Sequence, residues 1–551
     1  MQTTDSRTLD RREGLSAVGI IIGVIGCVII TASSVYTALK MGALPWPTIF
    51  TSITSLVLLR AFGRTSLNEA NVTQIIMSAG SMVAGGLAFT IPGIWMLGLS
   101  DQVSWVQMLM VALAGTLLGL VCTALIRRRF VDESDLEYPI GVAAAQTLEA
   151  SKAGGVTAKR LFGSMALAGI WSAARDVLGI IPAMLLTLPI PGVSFGIYNS
   201  PMMLSVGFLV GGTAVAFWIA GAVFANFGLI VGGSALGLWS VEVAQGIVSS
   251  LGMGLMMGSG IGVVAHDIVP KAASYLSNAS SERDTSEISG AFGGLLALMV
   301  AAAALMVCFG LGISPLACVV LVVLSFVTTI MSAQSVGQTG IDPMEIFGLI
   351  VLLAIAALGE SDQVKLFFVA GVVAVACGLG GDVMSDFKTG RIIGTNPRKM
   401  WIGQAIGALL GTLVSVAVMV ALVRAYGTDA FGPGKLFVSA QASVVATMVS
   451  GIPSVPSFVL GLVAGIALYW LGLPSMMLGL GVYLPFYLSF SASLGALAKL
   501  AYDRLAPRKD AHKGELGHDE TGIVVASGLL GGESIVGVAI ALFSVIAGLA
   551  G

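Results

Sequence analysis

Long apolar runs separated by short polar connections dominate the chain, and the run lengths match the thickness of a bilayer's hydrocarbon core. A helix needs roughly 20 mostly apolar residues to cross that core. The first run extends from Leu15 to about Leu39, too long for the apolar core of a signal peptide. Residues 37–47 reverse the chain at Pro45 and Pro47, and the next segment ends at Arg60 and Arg64. Further segments are predicted over 68–93, 103–126, 161–188 and from Pro201 to about Phe224, and residues 226–265 read as two short spans or broken helices. Beyond them lie 288–311, 315–334, one from Pro343 to before Glu360, 364–377 and 400–423. Residues 436–472 are split by Pro453 and Pro456, the run after Pro474 breaks at Tyr483–Pro485, and 523–548 forms the last span. The pattern predicts an all-α polytopic membrane protein with about 15 to 17 crossings.

Some segments do not fit a plain span. Pro139 and Gly141 open a stretch of only about ten apolar residues, 139–149, flanked by basic residues on both sides. It is predicted to be re-entrant or interfacial, which requires a protein or aqueous neighbour for its backbone. In the segment from residue 68, Asn71, Gln74 and Ser78 follow at i, i+3 and i+7 and so share one helix face. That face looks onto an aqueous cavity or forms a hydrogen-bonded seam with another helix. The run GLGGDVMSDFKTGRIIGTNPRKMW, 378–401, sets Asp382, Asp386 and Lys388 where an apolar segment meets water. It reads as a functional loop or as an ordinary cytoplasmic loop marked by Arg398 and Lys399.

Charge is scarce: 10% of the 551 residues are Asp, Glu, Lys or Arg, against roughly 25% in soluble domains. Within the apolar segments lie Arg175, Asp176, Glu242, Asp382, Asp386, Lys388 and Glu533, with Glu69 and Glu149 near segment ends. A desolvated carboxylate can take up and release a proton, which suits Asp176, Asp382, Asp386 and Glu533 to proton coupling. Each could instead belong to a structural ion pair. Arg175 and Asp176 are about 100° apart on a helix, so each is expected to find its partner on another helix. The net charge of −2 says nothing about nucleic acid, but the 27 basic residues lie in loops and at segment ends and not on one face, and no nucleic-acid partner is expected. The basic tail carrying Arg7, Arg11 and Arg12 is expected in the cytoplasm. The hydrophilic stretch 266–288 is the expected boundary between a first transmembrane half, 15–265, and a second, 289–551, after a tail of residues 1–14.

The five cysteines lie apart in apolar segments and read as small buried hydrophobes. The three histidines show no metal-ligand spacing, and neither a resident metal nor a cofactor is expected. No HExxH, Gly-x-Ser-x-Gly or Walker A element occurs. An intramembrane aspartyl protease fails too, because Leu379-Gly380-Gly381 precedes Asp382 and Tyr502-Asp503 lies in a hydrophilic loop. An enzyme is therefore disfavoured, while a passive channel stays open as an alternative. Glycines spaced by four, as in Gly19/Gly23, Gly115/Gly119, Gly207/Gly211, Gly403/Gly407/Gly411 and Gly461/Gly465, suit close helix packing.

Four stretches, in order, carry a resemblance: NEANVTQIIMSAGSMVAGGLAFTIPG from residue 68, YPIGVAAAQTLEA from 138, DVMSDFKTGRIIGTNPRKMW from 382 and SGLLGGESIVG from 527. Together they resemble the oligopeptide transporter family, in its bacterial and yellow-stripe-like branch. The resemblance implies about sixteen helices in two pseudosymmetric halves and a binding site near the midplane. It implies a proton-driven symporter of oligopeptides, modified peptides or peptide-like metal chelates, working by alternating access in the inner (plasma) membrane. A homodimer is expected only by analogy. On this reading residues 68–82, 138–149, 382–388 and 527–535 converge on one cavity. Asn71, Gln74, Ser78, Tyr138, Gln146, Arg175 and Lys388 would contact substrate there.

Overall fold

The computed structural model describes residues 14–41, 47–134, 136, 138–150, 155–263, 265–266, 287–339, 342–450, 453–505 and 518–550. The basic tail up to residue 13 and most of the central connection, 267–286, lie outside the described residues. The chain is helical nearly throughout, and nine helices among the described residues are long and apolar enough to cross a membrane.

Two helices form the centre. Helix α3 (Leu67–Ala88) is buried from Glu69 to its end, and α14 (Gln363–Gly380) is buried from Leu366 to its end. Around α3 pack α1 (Ala17–Met41), α2 (Pro47–Ala61) and α16 (Pro397–Tyr426). Around α14 pack α5 (Trp105–Arg127), α12 (Pro315–Thr339) and α13 (Met344–Ala357). Helix α4 (Pro92–Met96) and α17 (Ala440–Ser450) close one end of this core, and α11 (Glu287–Leu305) flanks α5. A second group pairs α7 (Gly155–Asp176) with α21 (His518–Ala550), and α10 (Val241–Val263) with α18 (Val455–Trp470). In it α8 (Pro201–Val210) and α9 (Gly212–Val223) pack on α19 (Ser475–Tyr483) and α20 (Phe486–Leu505). The breaks predicted at Pro453/Pro456 and Tyr483–Pro485 separate α17 from α18 and α19 from α20.

Four of the five glycine spacings lie at helix crossings, while Gly211 of the Gly207/Gly211 pair ends α8 with no neighbour within 4 Å. Gly403, Gly407 and Gly411 of α16 face Val72, Ile76 and Gly80 of α3, and a Cβ on Gly411 would collide with the Gly80 backbone. Gly461 and Gly465 bring α18 against the Leu251–Gly258 backbone of α10, and Gly115 and Gly119 do the same for α5 against α14. Without water between helices to drive apolar association, such close approach is a main source of packing energy in a bilayer.

Three expectations need correction. Residues 161–188 are not one span: α7 ends at Asp176, and an antiparallel hairpin follows, β1 (Met184–Ile190) and β2 (Val193–Tyr198). Its turn, Pro191-Gly192 with Gly192 at φ 78°, is the Pro-Gly arrangement of a type II turn, which an apolar-length count overlooks. Residues 226–265 hold the end of one helical run and one complete span, α10, with Glu242 exposed in its first turn. The 382–401 stretch is no loop. Asp382 continues into helix α15 (Val383–Ile393), Gly394 ends that helix in the left-handed conformation, and Asn396 caps α16. The short 139–149 segment is helix α6 (Pro139–Ala150), 12 residues long and packed on α2 and α15.

Candidate functional site

The break between α14 and α15 sets the first constellation. A Cβ at Gly380 or Gly381 would collide with Thr329 or Ser332, so the two glycines let α12 press against the junction. Asp386, one turn into α15, is fully buried. Gln74 Nε2 donates to its Oδ1 at 2.6 Å, and Ser78 Oγ donates to its Oδ2 at 2.7 Å, both from α3. The polar face predicted for α3 is therefore turned to α15. Asn71 takes part at a distance: its Nδ2 donates to Thr395 Oγ1 at 3.4 Å, and Thr395 donates to Asn68 Oδ1 at 2.9 Å. The side-chain carbonyls of Gln74 and Asn71 are buried and accept no hydrogen bond.

Helix α6 is tied to the same place. Thr389 Oγ1 donates to the Gly141 carbonyl at 2.8 Å, and a side chain at Gly141 would collide with the Ser385 backbone. Lys388 Nζ donates to the Leu136 carbonyl at 2.6 Å and lies 5.9 Å from the Tyr138 ring centre. Tyr138 is fully buried with φ 50°, a conformation costly for a bulky residue. Its N–H donates to Gly337 O at 3.0 Å and its hydroxyl to Ala333 O at 3.2 Å. The side chains of Gln146 and Glu149 lie outside the described residues.

Asp382 is in electrostatic range of Asp386 and of two carboxylates that the sequence reading did not single out, Asp342 and Glu345. Glu345 is buried in the first turn of α13. Neither buried oxygen of Asp342 has a donor in hydrogen-bonding geometry, although Ser332 lies beside it. Among the described residues no Lys, Arg or His forms an ion pair with any of these four carboxylates. Asp342 and Glu345 stand at the start of an apolar run, where a charge normally marks a helix end in water. Only the packing of α12 and α14 around them exposes the difference.

Arg175, Asp176 and Glu533 form a separate constellation. Arg175 does find a partner on another helix: Nη2 lies 2.9 Å from Glu533 Oε1 of α21. It also pairs with its neighbour Asp176, at 2.7 Å from Nε and 2.6 Å from Nη2, against expectation. Asp176 is the last residue of α7, so its side chain is free of helical spacing and folds back along the long guanidinium. Glu533 further accepts from Ser200 Oγ at 2.9 and 2.8 Å and from the Met202 N–H at 2.8 Å. Ser200 caps α8, whose N-terminus thus faces the carboxylate.

The structure therefore brings 68–82, the start of α6 and 382–388 together, and places 527–535 elsewhere. Helix α21 packs on α7, α8, α16 and α1, and α1 separates it from α3. Ser527 and Leu530 instead line an apolar cavity of about 500 Å³ with Ile25 and Thr37 of α1, Thr54 of α2 and Met165 of α7.

A family model described as OPT oligopeptide transporter protein matches residues 15–544. A Haemophilus influenzae protein assigned by name to the oligopeptide transporters is 24% identical over 599 residues, covering 92% of each chain. A metal-nicotianamine transporter of Oryza sativa subsp. japonica is 31% identical over 160 residues, 27% of this chain and 22% of its own. A metal-nicotianamine transporter of Arabidopsis thaliana is 36% identical over 86 residues, 15% of this chain and 13% of its own. The family match runs from the first spanning helix into the last, across both constellations, and so the chain belongs to the oligopeptide transporter family, a family of transporters and not of enzymes.

Proposed function

We propose that the protein is a secondary active transporter that couples proton movement to the uptake of oligopeptides, modified peptides or peptide-like metal chelates. The observation that carries this reading is Asp386, fully buried and held by neutral groups, the donors Gln74 and Ser78 with the Thr48 hydroxyl beside them. A carboxylate out of water needs a counter-charge or a proton. Asp382 is in range of Asp386, Asp342 and Glu345, and among the described residues no cation pairs with any of the four, so a proton is the simplest mobile counter-charge. On this reading Asp382 and Asp386 carry the coupling proton, while Asp176 and Glu533 hold Arg175 in place.

Movement is assigned to the junction at Gly381 and to α6. Interrupted helices place backbone groups at depth and can change their angle, as alternating access requires. Asn71, Gln74 and Lys388 then lie along the substrate path. The peptide or chelate class follows from the names of the relatives, and the plasma membrane with a cytoplasmic N-terminus follows from Arg7, Arg11 and Arg12. The test is uptake of labelled tri-alanine and of nickel–nicotianamine into proteoliposomes under an imposed pH gradient. Accumulation above equilibrium that collapses with a protonophore supports the symporter. Passage of both substrates only down their own gradients, indifferent to pH, supports a channel instead.

A further inference from the structure

At the far end of α1 the structure holds a cation that the mechanism above does not use. Lys40 is 7% exposed. Its Nζ donates to Tyr36 OH at 3.3 Å, and it lies 5.4 Å from the ring centres of both Tyr36 and Tyr198. Among the described residues no carboxylate oxygen comes within 4.0 Å of it. Glu533, the carboxylate in its electrostatic range, is already engaged by Arg175, Ser200 and the Met202 N–H. An ammonium carries three N–H groups and accepts nothing. Two phenols, Tyr36 and Tyr198, account for two of them, leaving one without an acceptor among the described residues.

The surroundings of the Lys40 ammonium are aromatic. Tyr198 receives the Arg175 guanidinium 5.3 Å from its ring centre and meets Tyr487 edge-on at 5.8 Å. Tyr426 and Tyr487 are also in electrostatic range of Lys40. Tyr198, Tyr426 and Tyr487 are half-buried, whereas Tyr36 and Lys40 are enclosed. Phenol hydroxyls donate to anions, and ring faces pack against apolar or planar groups.

We propose that Lys40, with Tyr36 and Tyr198, is a recognition site for a carboxylate of the transported molecule. This rests on the transport reading above and narrows it. One carboxylate oxygen takes the third ammonium N–H, and the other takes a phenol hydroxyl. Peptides end in a carboxylate and nicotianamine carries several, so one site serves both substrate classes. The site is remote from the proton-bearing group. Gly19 and Gly26 of α1 lie beside Thr73 and Met77 of α3, and Lys40 is fourteen residues beyond Gly26, roughly 20 Å along the helix.

The test is equilibrium binding of labelled tri-alanine and tri-alanine amide to the purified full chain in detergent, at one pH and without a gradient. Wild type is expected to bind the free acid at least tenfold more tightly than the amide, about 1.4 kcal/mol. Lys40→Met should erase that preference, and Lys40→Arg should retain most of it. Because Lys40→Met alone could unfold the protein, the wild-type comparison and Tyr198→Phe, expected to weaken the acid and spare the amide, are decided independently. Wild type that takes both forms equally or neither, or a folded Lys40→Met that keeps the preference, overturns the proposal. Uptake that proves indifferent to protons would sink the coupling reading while leaving this one standing.

Discussion

Glu533 and Arg175 offer the most direct measurement, because the same pair serves either stability or proton transfer. Their side chains are 1% and 0% exposed. Glu533→Ala removes the 2.9 Å pair with Arg175 and the acceptors for Ser200 and the Met202 N–H. Breaking a buried ion pair from one side costs about 3–5 kcal/mol. Arg175 keeps Asp176, whose side chain is 31% exposed, so the expected loss is at the lower end, about 3 kcal/mol. Glu533→Gln keeps the shape and one carbonyl acceptor for Ser200 and the Met202 N–H, but sets an NH2 donor against Arg175 Nη2, so the pair is lost and the cost is about 2–3 kcal/mol. Arg175→Met combined with Glu533→Met should cost less than the sum of the single changes by at least about 2 kcal/mol. The assay is reversible unfolding in mixed micelles followed by tryptophan fluorescence, with pH-dependent uptake measured on the folded fraction. Strictly additive single changes, each under about 1 kcal/mol, would refute the ion-pair reasoning. Glu533→Gln that folds normally yet loses all pH dependence of uptake would make Glu533 a proton carrier.

Other changes test the remaining contacts. Asp386→Asn keeps hydrogen-bonding capacity toward Gln74 and Ser78, so the protein should fold while proton-driven uptake falls at least about tenfold, read in proteoliposomes. Asp342→Asn should not destabilise, and should raise the unfolding free energy by about 1 kcal/mol, because neither carboxylate oxygen has a donor to lose. Gly411→Val places methyl groups where the Gly80 backbone lies, and should cost at least about 2 kcal/mol or abolish assembly, seen as loss of monodisperse protein on size exclusion.

Much of the fold was legible because a bilayer forces long apolar runs, and those runs survive as α1, α3, α5, α14 and α16. The failures share a cause. Residues 184–198 are as apolar as a span, yet Pro189 and the Pro191-Gly192 turn favour a hairpin, and counting apolar residues ignores turn chemistry. Residues 382–393 are polar enough to read as a loop, yet α3 supplies partners for Asp386, the Leu136 carbonyl one for Lys388 and α6 one for Thr389. A segment's polarity measures its need for partners, which another helix can meet as well as water can.

The site was legible to the same degree and for the same reason. Asn71, Gln74 and Ser78 stood out because helical spacing aligns them within one segment, and the contacts of Gln74 and Ser78 follow from that alignment. Lys40, Asp342 and Glu345 were invisible because each stands at the edge of an apolar run, where a charge is expected in water. What distinguishes them is enclosure by distant chain: Tyr198 over Lys40, and Cys377 to Asp382 against Asp342. Charges at span edges therefore split into those that reach water and those that a neighbouring hairpin or helix covers. The covered ones retain an unmet electrostatic demand in the folded protein, and a transporter can use that demand only for something that moves. On the proposed reading protons go to the carboxylates around Asp382 and a substrate anion goes to Lys40, so the two do not compete for the same group.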